Sequence, residues 1–347
     1  MSLLLHAISG ALARVGTIGG HIFFDPLSGF SLASLACAMV VATLVVGVGR
    51  WRRRGRLSLR LMMRALRPRR AAVRGASGRT DVGFFLFNAF AGGVLIGWAL
   101  LSQTQAAAWT REALVALGGP APLHITGMLP TALTGVALYL ASELAYWVDH
   151  WLSHRVPALW EIHKVHHTAE ALTPLTTFRV HPLESLKFYN ITAIFTGVAA
   201  GMLQYGLGAS QLSVISADVL FVAFTFTVGH LHHSHVWISF RGGLEKLLMS
   251  PAAHQIHHSS DPRHFGRNLG NSLALWDWLF GTLYAPAAKR ERLVFGVPGE
   301  GEAAHTVTGA MLTPVAKALS LLTRAAGEVA AEGRRRGRKA AGAKPAV

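Results

Sequence analysis

Apolar and polar positions are segregated along this chain in long blocks. Five stretches are almost free of charge: residues 31–49, 83–101, 128–148, 188–207 and 212–229, broken only by Glu143 and Asp218. A helix over the 19 residues 31–49 is about 29 Å long, enough to cross the hydrocarbon of a bilayer. The pattern predicts an all-α polytopic transmembrane bundle of four to five spans. The last two stretches are separated by residues 208–211 alone, which predicts a tight hairpin. Residues 56–66 carry Arg56, Arg60 and Arg64 on one side and Leu59, Met62, Met63 and Leu66 on the other. That is an amphipathic helix for the membrane surface, stopping near Pro68. Residues before 31 lack a basic start, and Arg14 interrupts their apolar run, so they read as a short interfacial segment and not as a cleaved signal. Residues 312–332 read as a further helix, and 333–347 as a basic, disordered tail.

Composition agrees with the membrane reading. Hydrophobic residues make up 51% and charged residues 14%, where a soluble chain carries about a quarter. Cys37 is the single cysteine, which excludes an internal disulfide framework and a cysteine-based zinc site. The net charge of +16 is concentrated in 50–79, with 12 arginines, and after 334. Beside apolar spans such clusters set topology and bind anionic lipid, so the charge does not point to nucleic acid. The 50–79 loop is expected on the cytoplasmic side. Following the spans from there places 102–127 outside, and 150–187 and everything from His230 on the cytoplasmic side, in a bacterial inner membrane. Every histidine cluster then lies on one face.

Thirteen of the 18 histidines fall between His150 and His258. Twelve of these, all but His181, form four groups: His150 and His154; His163, His166 and His167; His230, His232, His233 and His235; and His254, His257 and His258. The second and fourth share the pattern H-x-x-H-H, 91 residues apart. Positions i, i+3 and i+4 share a helix face. Each triad is therefore expected to converge on one point, with His150 and His154 making a third face. Imidazole nitrogen suits iron, zinc, copper and nickel. The expected ligands are His150, His154, His163, His166, His167, His230, His233, His254, His257 and His258, enough for two metals with a position left open. Bystanders are expected among His232, His233 and His235. Lone histidines such as His6, His21, His124 and His305 carry no such expectation. A histidine-rich metal transporter would place its ligands inside the spans, and these stand at span ends. A zinc hydrolase would need fewer ligands and a general-base glutamate, and no H-E-x-x-H occurs.

The text around these histidines resembles the fatty acid hydroxylase / sterol desaturase superfamily of integral-membrane enzymes. Tyr146-Trp147 precedes the first pair; Trp160 to His167 resembles the second histidine box; Arg179-Val-His181-Pro-Leu-Glu184 resembles the R-x-H-P-x-E turn. Pro251 to His258 resembles the last box, and Asn268-x-Gly270 with Leu275 to Thr282 the closing motif. The resemblance covers about residues 140–284. Trp151 stands where the family often has Arg, and His235 where it commonly has Asn. The resemblance implies a cytoplasmic helical cap holding two iron ions, with O2 as co-substrate. It implies hydroxylation or desaturation of a lipid C–H bond, and electrons from an external cytochrome- or ferredoxin-type reductase system. Domains are expected at 1–127 (membrane region), 128–285 (catalytic) and 286–347 (helix and tail). Metal-bound histidines usually donate their second nitrogen to an acid or a carbonyl. Asp149, Glu161, Glu184, Asp261 and Asp277 are candidates for that role, and His181 and His235 for a place beside the metals or the substrate. The substrate could be a sterol, hopanoid, fatty acyl chain, ether lipid or carotenoid.

Overall fold

The computed structural model describes residues 2–55, 57–67, 70–120, 127–207, 215–287 and 289–342. Among these the chain is all-helical, with two isolated β-bridges and no named strand. The 208–211 hairpin, the start of the fifth stretch, Pro68 and the last five residues fall outside them.

The helices used below are α1 (Ser2–Phe24), α2 (Leu32–Arg54), α3 (Leu59–Leu66), α4 (Ala76–Phe87), α5 (Gln103–Gly118), α6 (Met128–Arg155), α7 (Pro157–His167), α8 (Pro182–Leu207), α9 (Ile215–Phe224), α10 (Pro251–His257) and α11 (Leu275–Leu279). The last is α12 (Val307–Gly342). Their ends obey local chemistry. The Ser31 hydroxyl accepts from Ser34 N and starts α2, and Gly55 ends it in the left-handed region, at φ 65°. Pro157 and Pro251 open α7 and α10, where a missing N–H is harmless.

Among the described residues three helical runs are long and apolar enough to cross a membrane: Leu32–Arg54, Ala76–Gly118 and Pro182–Leu207. Val219–His232 is a shorter apolar helix. The second run differs from the expected 83–101 span followed by an outer loop. Its distal part, α5, is capped by Ser102 and lies along α8. Gly197 and Gly201 make that approach possible, because a Cβ there would stand 2.4 Å from Ala106 and 2.5 Å from Thr110. Ala107, Leu138 and Ala200 close this three-helix packing of α5, α6 and α8.

Two contacts redraw the expected path. Ser34 Oγ, near the start of α2, lies 2.8 Å from His230 Nε2. The path read from the arginines sets these residues on opposite membrane faces, about 30 Å apart. The structure instead lays α2 beside the histidine layer, where Ala38 and Ala42 pack on Leu231 and Val236. Residues 271–273 reach down α6, inside the expected third span. There the buried Glu143 accepts from the backbone N–H of Ser272 (2.9 Å) and Leu273 (2.8 Å). That segment does not stand clear of the bundle, as a region wholly beyond the spans would.

The N-terminal region is fastened to the catalytic helices by one fully buried cation. Arg179 donates to Asp81 (3.0 Å), Thr168, and the carbonyls of Ser77, Val165 and Ala304. A buried guanidinium persists only when its donors are used in this way.

Candidate metal centre

The turn at Val156 and Pro157 sets α7 against the end of α6, and α10 closes over both. Nine of the ten expected ligands meet there, in two groups. His150, His154, His163, His167 and His257 form one; His166, His233, His254 and His258 form the other. Within each group the ligating nitrogens lie within 4.8 Å of one another.

The triads do not converge as expected. His163 and His167 enter the five-histidine group and His166 the other; His254 and His258 enter the four-histidine group and His257 the other. Helix geometry explains the split. At about 100° per residue, i and i+4 differ by about 40°, whereas i+3 lies about 100° from i+4. Each triad therefore bridges both groups.

His230 belongs to neither group, being held by Ser34. His232 Nε2 lies 3.1 Å from the Met249 carbonyl, and its ring stacks on His254. His235 Nε2 lies 2.8 Å from the Ala65 carbonyl and so fastens α3, away from the histidines that converge. In the third histidine cluster only His233 faces a metal position.

The protonation pattern fits a metal. His150 Nδ1 donates to the Leu269 carbonyl (2.7 Å), and His257 Nδ1 to the Arg267 carbonyl (2.9 Å). His163 Nδ1 lies 3.1 Å from Glu184 Oε1. Carbonyls and carboxylates only accept, so the proton sits on Nδ1 and each Nε2 presents a bare lone pair. Yet His150 Nε2 and His163 Nε2 face each other at 3.1 Å. His154 Nε2 and His257 Nε2 are buried with no hydrogen-bond partner. Lone pairs packed this way need a cation between them. In the second group His233 Nε2 lies 3.0 Å from both His258 Nε2 and His254 Nε2, and Thr177 Oγ1 holds its Nδ1 at 3.0 Å.

Burial keeps these rings neutral. It holds His166 and His257 near 3 and pushes His154, His167 and His254 well below the ordinary histidine value, with neighbouring histidines adding to the effect. Neutral imidazole is the ligating form. An all-nitrogen donor set with carbonyl and carboxylate support fits a transition metal such as iron.

The expected supporting residues divide. Glu184 bonds His163 directly and also meets Lys187 (3.4 Å). Asp149 pairs with Lys187 at 2.8 Å, and burial, against that lysine, lifts its carboxyl to about 6. Asp277 accepts from the N–H of Leu269 and Gly270 and so shapes the loop whose carbonyl orients His150. His181 donates Nε2–H to the Met311 carbonyl and accepts from Leu183 N. Asp261 is a helix-end acid, bonded to Arg263 and capping Pro262–His264, away from the histidines that converge. Glu161 pairs with Lys164. Lys187 and Thr177 escaped the sequence reading. Lys187, three residues after Glu184 on one helix face, was the legible one.

A cavity of about 600 Å³ opens beside the histidines. His150, His163, His166, His233 and His254 contribute to its wall, with Tyr146, Phe188, Phe221 and Phe224. Two π-helical segments, Asn88–Gly92 and Thr225–Gly229, flank it. Such segments shift the phase of a helix and are frequent at functional sites.

Residues 135–282 match the fatty acid hydroxylase family. The matched segment holds every histidine of both groups and is similar to the fatty acid hydroxylase / sterol desaturase superfamily. Among curated relatives, the chain is 28% identical over 157 residues to ornithine lipid hydroxylase OlsE of Rhizobium tropici, covering 45% of this chain and 44% of that protein. It is 28% identical over 169 residues to human alkylglycerol monooxygenase, covering 47% of this chain and 33% of that protein. It is 26% identical over 150 residues to fatty acid hydroxylase vlmA of a Lecanicillium species, covering 40% and 39%. The matches thus span between a third and a half of these relatives. No solved structure matches the chain.

Proposed function

We propose that this protein is an O2-dependent membrane di-iron enzyme that hydroxylates or desaturates a C–H bond of a lipid. The observation that carries the reading is the pair of adjacent all-histidine groups opening on one apolar-walled cavity. The five-histidine group would hold one iron and the four-histidine group a second. When bound, the irons supply the means to reduce O2 and to take hydrogen from an unactivated C–H bond. Hydroxylation consumes the lipid, O2, two electrons and two protons, and yields an alcohol and water. Desaturation yields an alkene and two waters from the same inputs.

The protein's own groups do the positioning. Glu184 and the Leu269 and Arg267 carbonyls fix His163, His150 and His257 with their lone pairs inward. Burial keeps bulk water from the site. The two electrons would come from a cytochrome- or ferredoxin-type partner. We assign four membrane crossings, the apolar stretches after α2, over domains 1–127, 128–285 and 286–347. The histidine groups and the C-terminus lie on the cytoplasmic side of a bacterial inner membrane, by the arginine-rich 50–79 loop.

The test is oxygen uptake by iron-loaded protein in lipid vesicles with an added reductant. The expected result is reductant-dependent uptake with a lipid product 16 mass units heavier or 2 lighter, the change for one oxygen gained or two hydrogens lost. Uptake that leaves every lipid unchanged would refute lipid oxidation.

A further inference from the structure

The cavity is polar at one end and apolar at the other, and the fold fixes which is which. At its inner end Asn88 Nδ2 donates to the carbonyls of Phe178 and Val180, both at 2.9 Å, and Thr177, just before Phe178, holds His233. On α8 the wall runs from Pro182 and Glu184, beside His163, to the exposed Tyr189, about 10 Å along the helix.

The inner end offers hydrogen bonds that the protein does not use. Tyr146, one helical turn before His150 with its ring against it, and Ser185, beside Glu184, both line the cavity. Among the described residues neither hydroxyl has a hydrogen-bond partner. Among the described residues no lysine or arginine lines the cavity, and its acids are engaged: Asp149 by Lys187, Glu184 by His163 and Lys187. A phosphate or free carboxylate brought here would find no protein cation on the wall; its only partners would be the irons of the oxidation reading, where it would compete with O2.

The outer end is different. Its exposed lining residues are Gly93, Leu100, Tyr189 and Phe221, and the neighbouring Val94 and Trp98 are 82% and 86% exposed. Such a rim faces hydrocarbon. Gly93 has ordinary helical backbone, φ −60°, and a Cβ there would meet nothing within 4 Å. Its missing side chain keeps the mouth wide.

Resting on the oxidation reading above, we infer that the lipid binds head-first. An uncharged hydrogen-bonding head group (hydroxyl, ester or amide) sits beside the histidines against Tyr146 and Ser185. The chain leaves past Gly93 into the bilayer. Oxidation then falls within a few carbons of the head.

The test uses holoenzyme in phosphatidylcholine vesicles with 1-hexadecanoylglycerol or its 3-phosphate, the site of oxidation being read by tandem mass spectrometry. The uncharged lipid is expected to react near its head, and the phosphate at least about tenfold more slowly. Oxidation at mid-chain or at the terminal carbon, or preference for the phosphate, overturns the inference. Tyr146→Phe is expected to weaken binding of 1-hexadecanoylglycerol about 3- to 10-fold. Gly93→Leu should keep its metal and lose turnover of this lipid. Unchanged affinity in the first, or unchanged turnover in the second, counts against the inference. A second readout needs no turnover. With cobalt(II) in place of iron, 1-hexadecanoylglycerol fluorinated near the head should show a broadened 19F line, and the same lipid fluorinated at the chain end should not. The reverse order, or broadening of neither, overturns head-first binding even if oxidation is established. Head-selective broadening without oxidation keeps the orientation and removes the oxidation reading.

Discussion

The two histidine groups are built from the same sequence pattern and differ in how closed they are. The group around His163 has five nitrogens, three of them braced from behind by Glu184 or a backbone carbonyl, and only His150 and His163 reach the cavity wall. The group around His233 has four, and three of these, His166, His233 and His254, reach it. One position is therefore a braced, nearly saturated cage and the other an open one facing the substrate space. Because each triad feeds both, the groups are mechanically linked through α7 and α10.

The largest expected effects separate the two groups. His257→Ala should empty the five-histidine group and abolish turnover, by at least about 100-fold, since even supporting residues cost 10- to 100-fold. His233→Ala should leave one iron per chain, in the braced group. Equal metal loss in both variants, by elemental analysis, would show that the groups load as one unit. Glu184→Gln should reduce metal affinity or activity by about 10- to 100-fold while the chain stays folded. If metal-competition titration shows no change, the bracing of His163 carries no weight.

A smaller effect concerns pH. In metal-free protein His166 and His257 sit near 3, below the ordinary 6.5. Between those values the unfolded chain binds protons that the folded chain refuses. Their contribution to stability is therefore full above about 6.5 and falls as pH drops toward 3. Unfolding temperature should decline from pH 7 to pH 5, and less so with metal bound; a flat profile would mean that the rings protonate in place. Smallest of all, His230→Ala should keep two irons per chain and shift stability by about 1 kcal/mol, the net worth of its hydrogen bond to Ser34. Loss of an iron there would return His230 to the ligand set.

The histidines were legible in the sequence because metal chemistry needs them at helical spacing. Their partition was not read, although the i+3 angle of His166 and His257 already points away from their neighbours. His230, His232 and His233 follow a π-helical segment that shifts the helix phase, so spacing alone could not choose among them. The membrane path was read from charge, which reports a side of the bilayer but not a depth. Hence α2 was set a membrane away from His230, while Ser34 touches it. The expected outer loop hid α5, because the glycines that receive it, Gly197 and Gly201, lie on a helix 80 residues and more away.

The central claim, two metal positions made by two histidine groups, is tested most directly by the iron content of detergent-purified protein from iron-supplied cells. The expected result is about two irons per chain. One iron or none, or stoichiometric zinc in its place, would contradict it.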